Sequence, residues 1–180
     1  AGYLSCGMGK GIRDQAKVDI ESLADGTYQL KIGTVEIGQG SSTLFVQLAA
    51  EALRVAPERI RIVMGDTALT YESGSTAASR TSYICGNALL QAAEDLQRQR
   101  EAGVPYPTGV GEAVFPEVGK ADLGVGLPHS MYTFIAQAAK VRVRKTGEIE
   151  LLDVFAVTEA GKVINPAALE GQIQGGVIMG

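Results

Sequence analysis

Glycine, glutamine and small hydroxyl residues stand at three places where the chain leads into a helix. The first is Gly38-Gln39-Gly40, between a segment of alternating polarity and a segment of helical periodicity. Glycines there let a ligand approach the backbone, and the N–H groups at a helix N-terminus favour an anion. Gln39 adds both a donor and an acceptor. The alternative is a turn in which the glycines are only structural.

The second place is the segment Gly74–Thr81, which also precedes a helix. Its small residues expose successive backbone amides, and its hydroxyl and guanidinium groups can hydrogen-bond oxyanions. The candidate ligand-binding residues are Thr76, Ala77, Ala78, Ser79, Arg80 and Thr81. A polar loop whose Ser or Thr caps the helix at 82 is the alternative.

The third place follows Asn165-Pro166, a favourable helix start with Asn as N-cap and Pro at the first helical position. Gln172 and Gln174 lie in this helix among small neighbours, so a ligand can come close. A surface-exposed glutamine is the alternative. Two isolated polar residues are weaker candidates for a functional site. We expect His129 to be a polar loop residue and Asp66 to cap a turn beside Thr67.

Composition excludes several functional classes. The net charge of −4 argues against a nucleic-acid-binding face, which needs a basic surplus. No apolar run reaches the length of about 20 residues that a membrane helix needs. Cys6 and Cys85 belong to no CxxC pair, so we expect no metal site formed by this chain. We expect two separate thiols in a cytoplasmic protein, and a disulfide between them is the alternative.

Hydrophobic periodicity predicts the elements that position these segments. Alternation predicts a hairpin around Asp25-Gly26, a strand over 59–64 and a second hairpin around Thr146-Gly147. Helical periodicity predicts one helix that Ser41 or Ser42 caps and another over 82–102. The order favours an α/β (α+β) fold of two layers, in which helices cover one face of a mixed sheet.

Four of the six prolines lie in residues 103–130, together with six glycines. We therefore divide the chain into a hairpin–helix–strand–helix subdomain at 1–102, an irregular connection at 103–130 and a hairpin–helix continuation at 131–180. Neither end has the look of a natural terminus, so we expect a piece of a longer protein.

Taken together, the segments resemble the second half of the molybdopterin-binding region of the xanthine dehydrogenase and aldehyde oxidase family. The resemblance covers about 26–180 and is weak across 97–127. The stretches that carry it are Val35-Glu36-Ile37-Gly38-Gln39-Gly40, Gly65-Asp66-Thr67, Thr76-Ala77-Ala78-Ser79-Arg80-Thr81, Ile164-Asn165-Pro166 and Glu170-Gly171-Gln172-Ile173-Gln174-Gly175-Gly176.

The resemblance implies a role for each cofactor-binding candidate. Gln39, between Gly38 and Gly40, matches a glutamine that contacts the pterin. The backbone at Ala78 matches the residue facing the molybdenum, and Ser79 and Thr81 match hydroxyl donors to the cofactor. Gln172 matches a second cofactor-binding glutamine.

The implied reaction is oxidative hydroxylation of an aldehyde or N-heterocycle with oxygen from water. The implied cofactor is a molybdenum–molybdopterin, as such or as a cytosine dinucleotide. Electrons would pass to 2Fe-2S centres and FAD on other domains or subunits. The implied partners are those domains, the missing first molybdenum-binding half, a small-molecule substrate and further copies in an oligomer.

The family's catalytic glutamate lies in a Gly-x-Gly-Glu motif beyond the Gln172 segment. Gly109-Val110-Gly111-Glu112 has that form but comes too early in the chain, so we interpret it as a coincidence. We therefore predict no catalytic residue here and no activity from this chain alone. Two alternatives to an enzyme component are a non-redox phosphate- or nucleotide-binding module and a non-catalytic scaffold homologue.

Overall fold

A computed structural model describes residues 2–7, 14–114 and 131–179 of the chain. Their contacts define two compact units, Cys6–Met131 and Ala1–Ser5 with Tyr132–Gly180. Within the described part of the chain, every helix is too short or too polar to span a bilayer.

The unit Cys6–Met131 contains a four-stranded mixed sheet of order β4-β3-β2-β5. Its strands are β2 (Gln15–Ser22), β3 (Tyr28–Ile32), β4 (Ile60–Met64) and β5 (Thr108–Val114). β2 pairs antiparallel with β3 and β5, whereas β3 pairs parallel with β4. The first predicted hairpin is confirmed, with its turn at Asp25-Gly26.

Two helices, α1 (Ser41–Leu53) and α2 (Thr81–Glu101), cover one face of this sheet. α2 packs on β2 and β5, and α1 packs on α2 and β4. The strand residues on that face share a register and are buried: Ala16, Val18, Ile20, Tyr28, Leu30, Ile32 and Ala113. The predicted two-layer α+β fold with helices on one face is therefore confirmed for this unit.

Strand β5 lies where we predicted an irregular connection. Gly109 and Gly111 face α2, and a Cβ on either would overlap a helix carbonyl oxygen, that of Ala92 or of Ala88. The absence of side chains at these two positions lets the helix backbone rest directly on the strand. The glycines that suggested a linker are thus the contact surface of a strand. Residues 115–130 lie outside the described residues.

The other unit contains a three-stranded sheet of order β1-β6-β7 and one helix. Its elements are β1 (Gly2–Cys6), β6 (Met131–Val143), β7 (Ile149–Glu159) and α3 (Pro166–Met179). The second predicted hairpin is confirmed by the antiparallel β6–β7 pair. Asn165 caps α3 as predicted, since its Oδ1 accepts a hydrogen bond from Ala168 N–H at 3.0 Å.

Candidate functional site

Two loops leave the same end of the four-stranded sheet. Ile32 and Met64 are register partners in the parallel pair β3–β4, so both strands end side by side. We call residues 33–40 the first site loop and residues 65–80 the second site loop. Each loop leads into the N-terminus of a helix, α1 and α2 respectively. The fold therefore places the first two predicted ligand-binding segments at one edge of the sheet.

Thr76 joins the two loops. Its hydroxyl donates to the carbonyl oxygen of Val35 at 3.0 Å and accepts from the Val35 N–H at 3.1 Å. The Thr34 hydroxyl lies 2.7 Å from it and is itself buried. A threonine that we assigned to a ligand on sequence grounds thus holds the loops together.

The N-terminus of α1 is occupied by a side chain of the first site loop. One carboxylate oxygen of Glu36 accepts from Gly38 N–H at 2.8 Å and from Gly40 N–H at 2.9 Å. The other accepts from Ser42 N–H at 2.9 Å. The helix begins after Gly40, in left-handed conformation, and no N-cap side chain bonds its amides. Our prediction of a Ser41 or Ser42 cap was wrong, because Glu36 takes that role from outside the helix.

Glu36 remains ionised at all ordinary assay pH values. The hydrogen bond from Ser42 N–H has the largest effect on the pKa of its carboxyl, and desolvation, the second effect, opposes it. The further bonds from Gly40 and Gly38 bring the pKa down to about 2. A fixed negative charge therefore stands where we expected the amides of Gly38–Gly40 to receive an anion.

Gln39 braces the first site loop. Its side-chain oxygen accepts from Ile37 N–H at 2.7 Å. Its side-chain nitrogen donates to the Ser41 hydroxyl at 2.9 Å and to the Val35 carbonyl at 3.3 Å. Both amide hydrogens are therefore used within the loop, and one lone pair of the oxygen is left for a ligand.

The second site loop presents exposed, strained backbone. Ala78 and Ser79 are consecutive non-glycine residues in the left-handed region, with φ of 51° and 54°. Such conformations are costly for side-chain-bearing residues and concentrate at ligand sites. Gly7 N–H donates to the Ala78 carbonyl at 3.0 Å and helps to hold it.

The N-terminus of α2 differs from that of α1. Arg80 is its N-cap, no cap side chain bonds its amides, and no acidic residue lies in its first turn. The Ser or Thr cap that we considered as the alternative is not formed. Because the positive end of a helix dipole favours an anion and the first turn of α2 carries no acidic residue, the residues here fit a phosphate-bearing pterin better than those at α1.

Arg80 is committed to protein acceptors. Its buried guanidinium donates to the Asp14 carboxylate at 2.8 Å and to the carbonyls of Ser73 at 2.7 Å, Ser75 at 3.0 Å and Gln15 at 2.8 Å. These bonds account for four of its five N–H groups. This geometry makes Arg80 the anchor of the second site loop, and the expectation that it also binds an oxyanion stays a prediction.

Gln172 lies on α3, in the other unit, and is exposed. Gln174 of the same helix bonds Glu170 at 3.0 Å. The roles of Gln172 and of the other cofactor-binding candidates in ligand contact stay predictions.

The remaining sequence candidates have structural explanations or fall outside the description. Asp66 caps a turn as expected, since its side chain accepts from Ala68 N–H at 2.9 Å. Glu112 is exposed on β5, beside the two glycines that contact α2. His129 lies outside the described residues. Among those described, no cluster of three His, Cys, Asp or Glu side chains could hold a metal ion.

Comparison with known proteins identifies the family. Residues 2–103 and 107–180 match the family of molybdopterin cofactor-binding domains. The chain belongs to this family. The resemblance to xanthine dehydrogenases and aldehyde oxidases that the motifs of the two site loops indicated is thereby confirmed.

Relatives of this molybdopterin cofactor-binding domain are oxidoreductases. It is 31% identical to a probable hypoxanthine oxidase of Escherichia coli (strain K12), over 92% of this chain and 20% of that protein. It is 32% identical to the xanthine dehydrogenase of Drosophila subobscura, over 93% of this chain and 14% of that protein. The chain therefore spans a fifth or less of these two relatives.

A solved structure confirms the fold. The aldehyde oxidoreductase of Desulfovibrio gigas superimposes with a TM-score of 0.83 at 29% identity, covering 97% of this chain and 21% of that one. The α+β architecture with its mixed sheet thus also occurs within a larger aldehyde oxidoreductase.

Proposed function

We propose that this domain forms one wall of a molybdenum-cofactor site in a larger hydroxylase that oxidises an aldehyde or an N-heterocycle with oxygen from water. The observation that carries the proposal is the junction of the two site loops. The Thr76 hydroxyl joins them through hydrogen bonds of 2.7–3.1 Å, at the sheet edge from which each loop leads into a helix. The family match supports the identity of the ligand.

The residues of the second site loop would bind the anionic part of the cofactor. The residues Ala77, Ala78 and Ser79 are exposed, and the N-cap residue Arg80 gives α2 no side-chain cap. Ser79 adds an exposed hydroxyl, and Thr81 lies at the first position of the helix. Neutral donors and amides suit an anion because they need no desolvated counter-charge.

The first site loop would contact the pterin through Gln39, using the free lone pair of its side-chain oxygen. Gln172 is proposed as a second cofactor-binding glutamine because it matches one in the family that the chain resembles. When bound, the molybdenum cofactor supplies the two-electron oxidation chemistry, and the protein orients it and controls access of water.

The rest of the proposed enzyme lies outside this chain. We propose that the protein is cytoplasmic and includes a first molybdenum-binding half, 2Fe-2S and FAD domains or subunits, and the Gly-x-Gly-Glu base, all of which the resemblance implies. A cytosine dinucleotide form of the pterin and an oligomeric state belong to the same proposal.

Elemental analysis of the purified full-length protein tests the proposal. We expect stoichiometric molybdenum and oxidation of aldehydes or purines with a dye acceptor. Ser79→Ala, which keeps a small residue at a left-handed position, should lower molybdenum content. Thr43→Ala removes an exposed hydroxyl from the first turn of α1, where Glu36 already takes the amides, and should not.

A wild-type protein without molybdenum would overturn the proposal. If that protein were instead stabilised against heat by inorganic phosphate, a non-redox phosphate-binding module would replace it.

A further inference from the structure

A chain of hydrogen bonds runs from Gln39 through Ser41 to Glu36. The Gln39 side-chain nitrogen donates to the Ser41 hydroxyl at 2.9 Å, and that hydroxyl donates to the second carboxylate oxygen of Glu36 at 3.3 Å. Ser41 is buried, so water does not compete freely for this link. This link and the hydrogen bond from Ile37 N–H together fix the orientation of the Gln39 amide. A reversed amide would place its NH2 group against the N–H of Ile37.

The carboxylate of Glu36 also holds the backbone on both sides of Gln39. Gly38 N–H and Gly40 N–H bond the same oxygen, which draws the two glycines towards one point and pushes Gln39 to the outside of the turn. Both glycines have positive φ, 95° and 81°, a conformation that glycine adopts readily, so the turn can bring both N–H groups to one oxygen.

This arrangement exceeds what a helix cap requires. A capping side chain ordinarily belongs to the N-cap residue and satisfies one amide of the first turn. Glu36 precedes the N-cap Gly40 by four residues and bonds three amides and one hydroxyl. Two of those amides lie in the turn and not in the helix.

We infer that Glu36 is a positioning residue for Gln39, acting through Ser41 and the flanking glycine amides, so that Gln39 meets the cofactor in one fixed orientation. The inference rests on the proposed function. The negative charge of Glu36 also repels anionic groups from the N-terminus of α1. The anionic part of the cofactor therefore binds at the second site loop.

The test uses the full-length enzyme carrying Glu36→Gln or Ser41→Ala. Glu36→Gln replaces an acceptor oxygen by a donor, so at least one of the amides of Gly38, Gly40 and Ser42 loses its partner. Ser41→Ala removes the hydroxyl that links Gln39 to Glu36 and leaves the three amide hydrogen bonds of Glu36 in place. Asp25→Asn is the matched control, because this exposed carboxylate accepts from Thr27 N–H in the hairpin turn at the opposite end of β3.

Molybdenum content, the electron paramagnetic resonance spectrum of the partly reduced molybdenum centre and the melting temperature are measured together. We expect Glu36→Gln to lower molybdenum content about 10-fold, as is typical for loss of a residue that orients a ligand-contacting group. Ser41→Ala should load but show an altered spectrum at an unchanged melting temperature. Asp25→Asn should match the wild type in all three.

Two outcomes would overturn the inference without touching the proposed function. One is a Glu36→Gln enzyme with wild-type molybdenum content and spectrum. The other is a Ser41→Ala enzyme whose spectrum is unchanged, a result that stands even if Glu36→Gln fails to fold. A wild-type enzyme without molybdenum would instead overturn the proposed function and this inference with it.

Discussion

Single residues of the second site loop are held in conformations that they do not adopt by themselves. Ala78 and Ser79 keep positive φ although neither is glycine. The support comes from the Gly7–Ala78 hydrogen bond on one side and the Arg80 guanidinium on the other, which bonds the carbonyls of Ser73 and Ser75. A loop fixed before its ligand arrives loses less entropy on binding.

At the residue scale, we predict that Arg80→Met loosens this loop. The substitution removes donors from three buried or half-buried carbonyls and from Asp14, which costs roughly 3 kcal/mol or more. Hydrogen exchange of the amides in residues 73–81 should become faster. Arg98→Met is the control, because Arg98 is 74% exposed and its pair with Asp95 contributes about 1 kcal/mol or less. Equal exchange in both variants would contradict the anchoring role of Arg80.

At the scale of elements, the absence of side chains at two positions of β5 sets the position of α2. Gly109 and Gly111 bring the strand against the helix backbone, and the buried stripe of α2 then continues over β2. Because the second site loop ends at the first residue of α2, the fit between strand and helix also fixes where that loop stands.

We predict that Gly111→Ala destabilises this layer by about 1–3 kcal/mol, the usual cost of overpacking. The added methyl meets backbone, which cannot swing aside as a side chain can. Val110→Ala on the same strand changes an exposed side chain and should stay within about 0.5 kcal/mol of the wild type. Chemical denaturation followed by hydrogen exchange in α2 measures both. A tolerated Gly111→Ala would show that β5 and α2 are packed less closely than described.

At the scale of the whole molecule, the cofactor-binding candidates are divided between the two units. Gln39 belongs to Cys6–Met131 and Gln172 to the unit that contains α3. Each is proposed as a cofactor contact on the resemblance to the family, so each is tested by its own substitution.

We therefore predict that Gln39→Ala and Gln172→Ala each lower the molybdenum content of the full-length enzyme more than its melting temperature. Gln174→Ala is the control, since Gln174 pairs with Glu170 on the same helix. If Gln39→Ala keeps its full molybdenum content but melts at a lower temperature, Gln39 only stabilises its loop and does not bind the cofactor. An unaffected Gln172→Ala would show that Gln172 does not bind the cofactor.

The sequence by itself determined the elements whose signals are local. Alternation over 17–32 and 140–157 predicted both hairpins, the spacing of Phe45, Leu48, Ala49 and Ala52 predicted α1, and Asn165-Pro166 predicted the start of α3. The motifs of the two site loops also sufficed to indicate the family. These signals are readable because turn chemistry and side-chain periodicity act between near neighbours.

Only the tertiary structure decided what those residues do to one another. Arg80 anchors the second site loop through its hydrogen bond to Asp14, 66 positions away. Thr76 joins the two site loops, and its hydroxyl bonds that of Thr34, 42 positions away. β5 became a strand because α2 lies on its glycines, which alone suggest a linker. Even Glu36, close in sequence to its partners, caps a helix from a position that no local capping rule assigns. In each case the deciding partner is supplied by the fold.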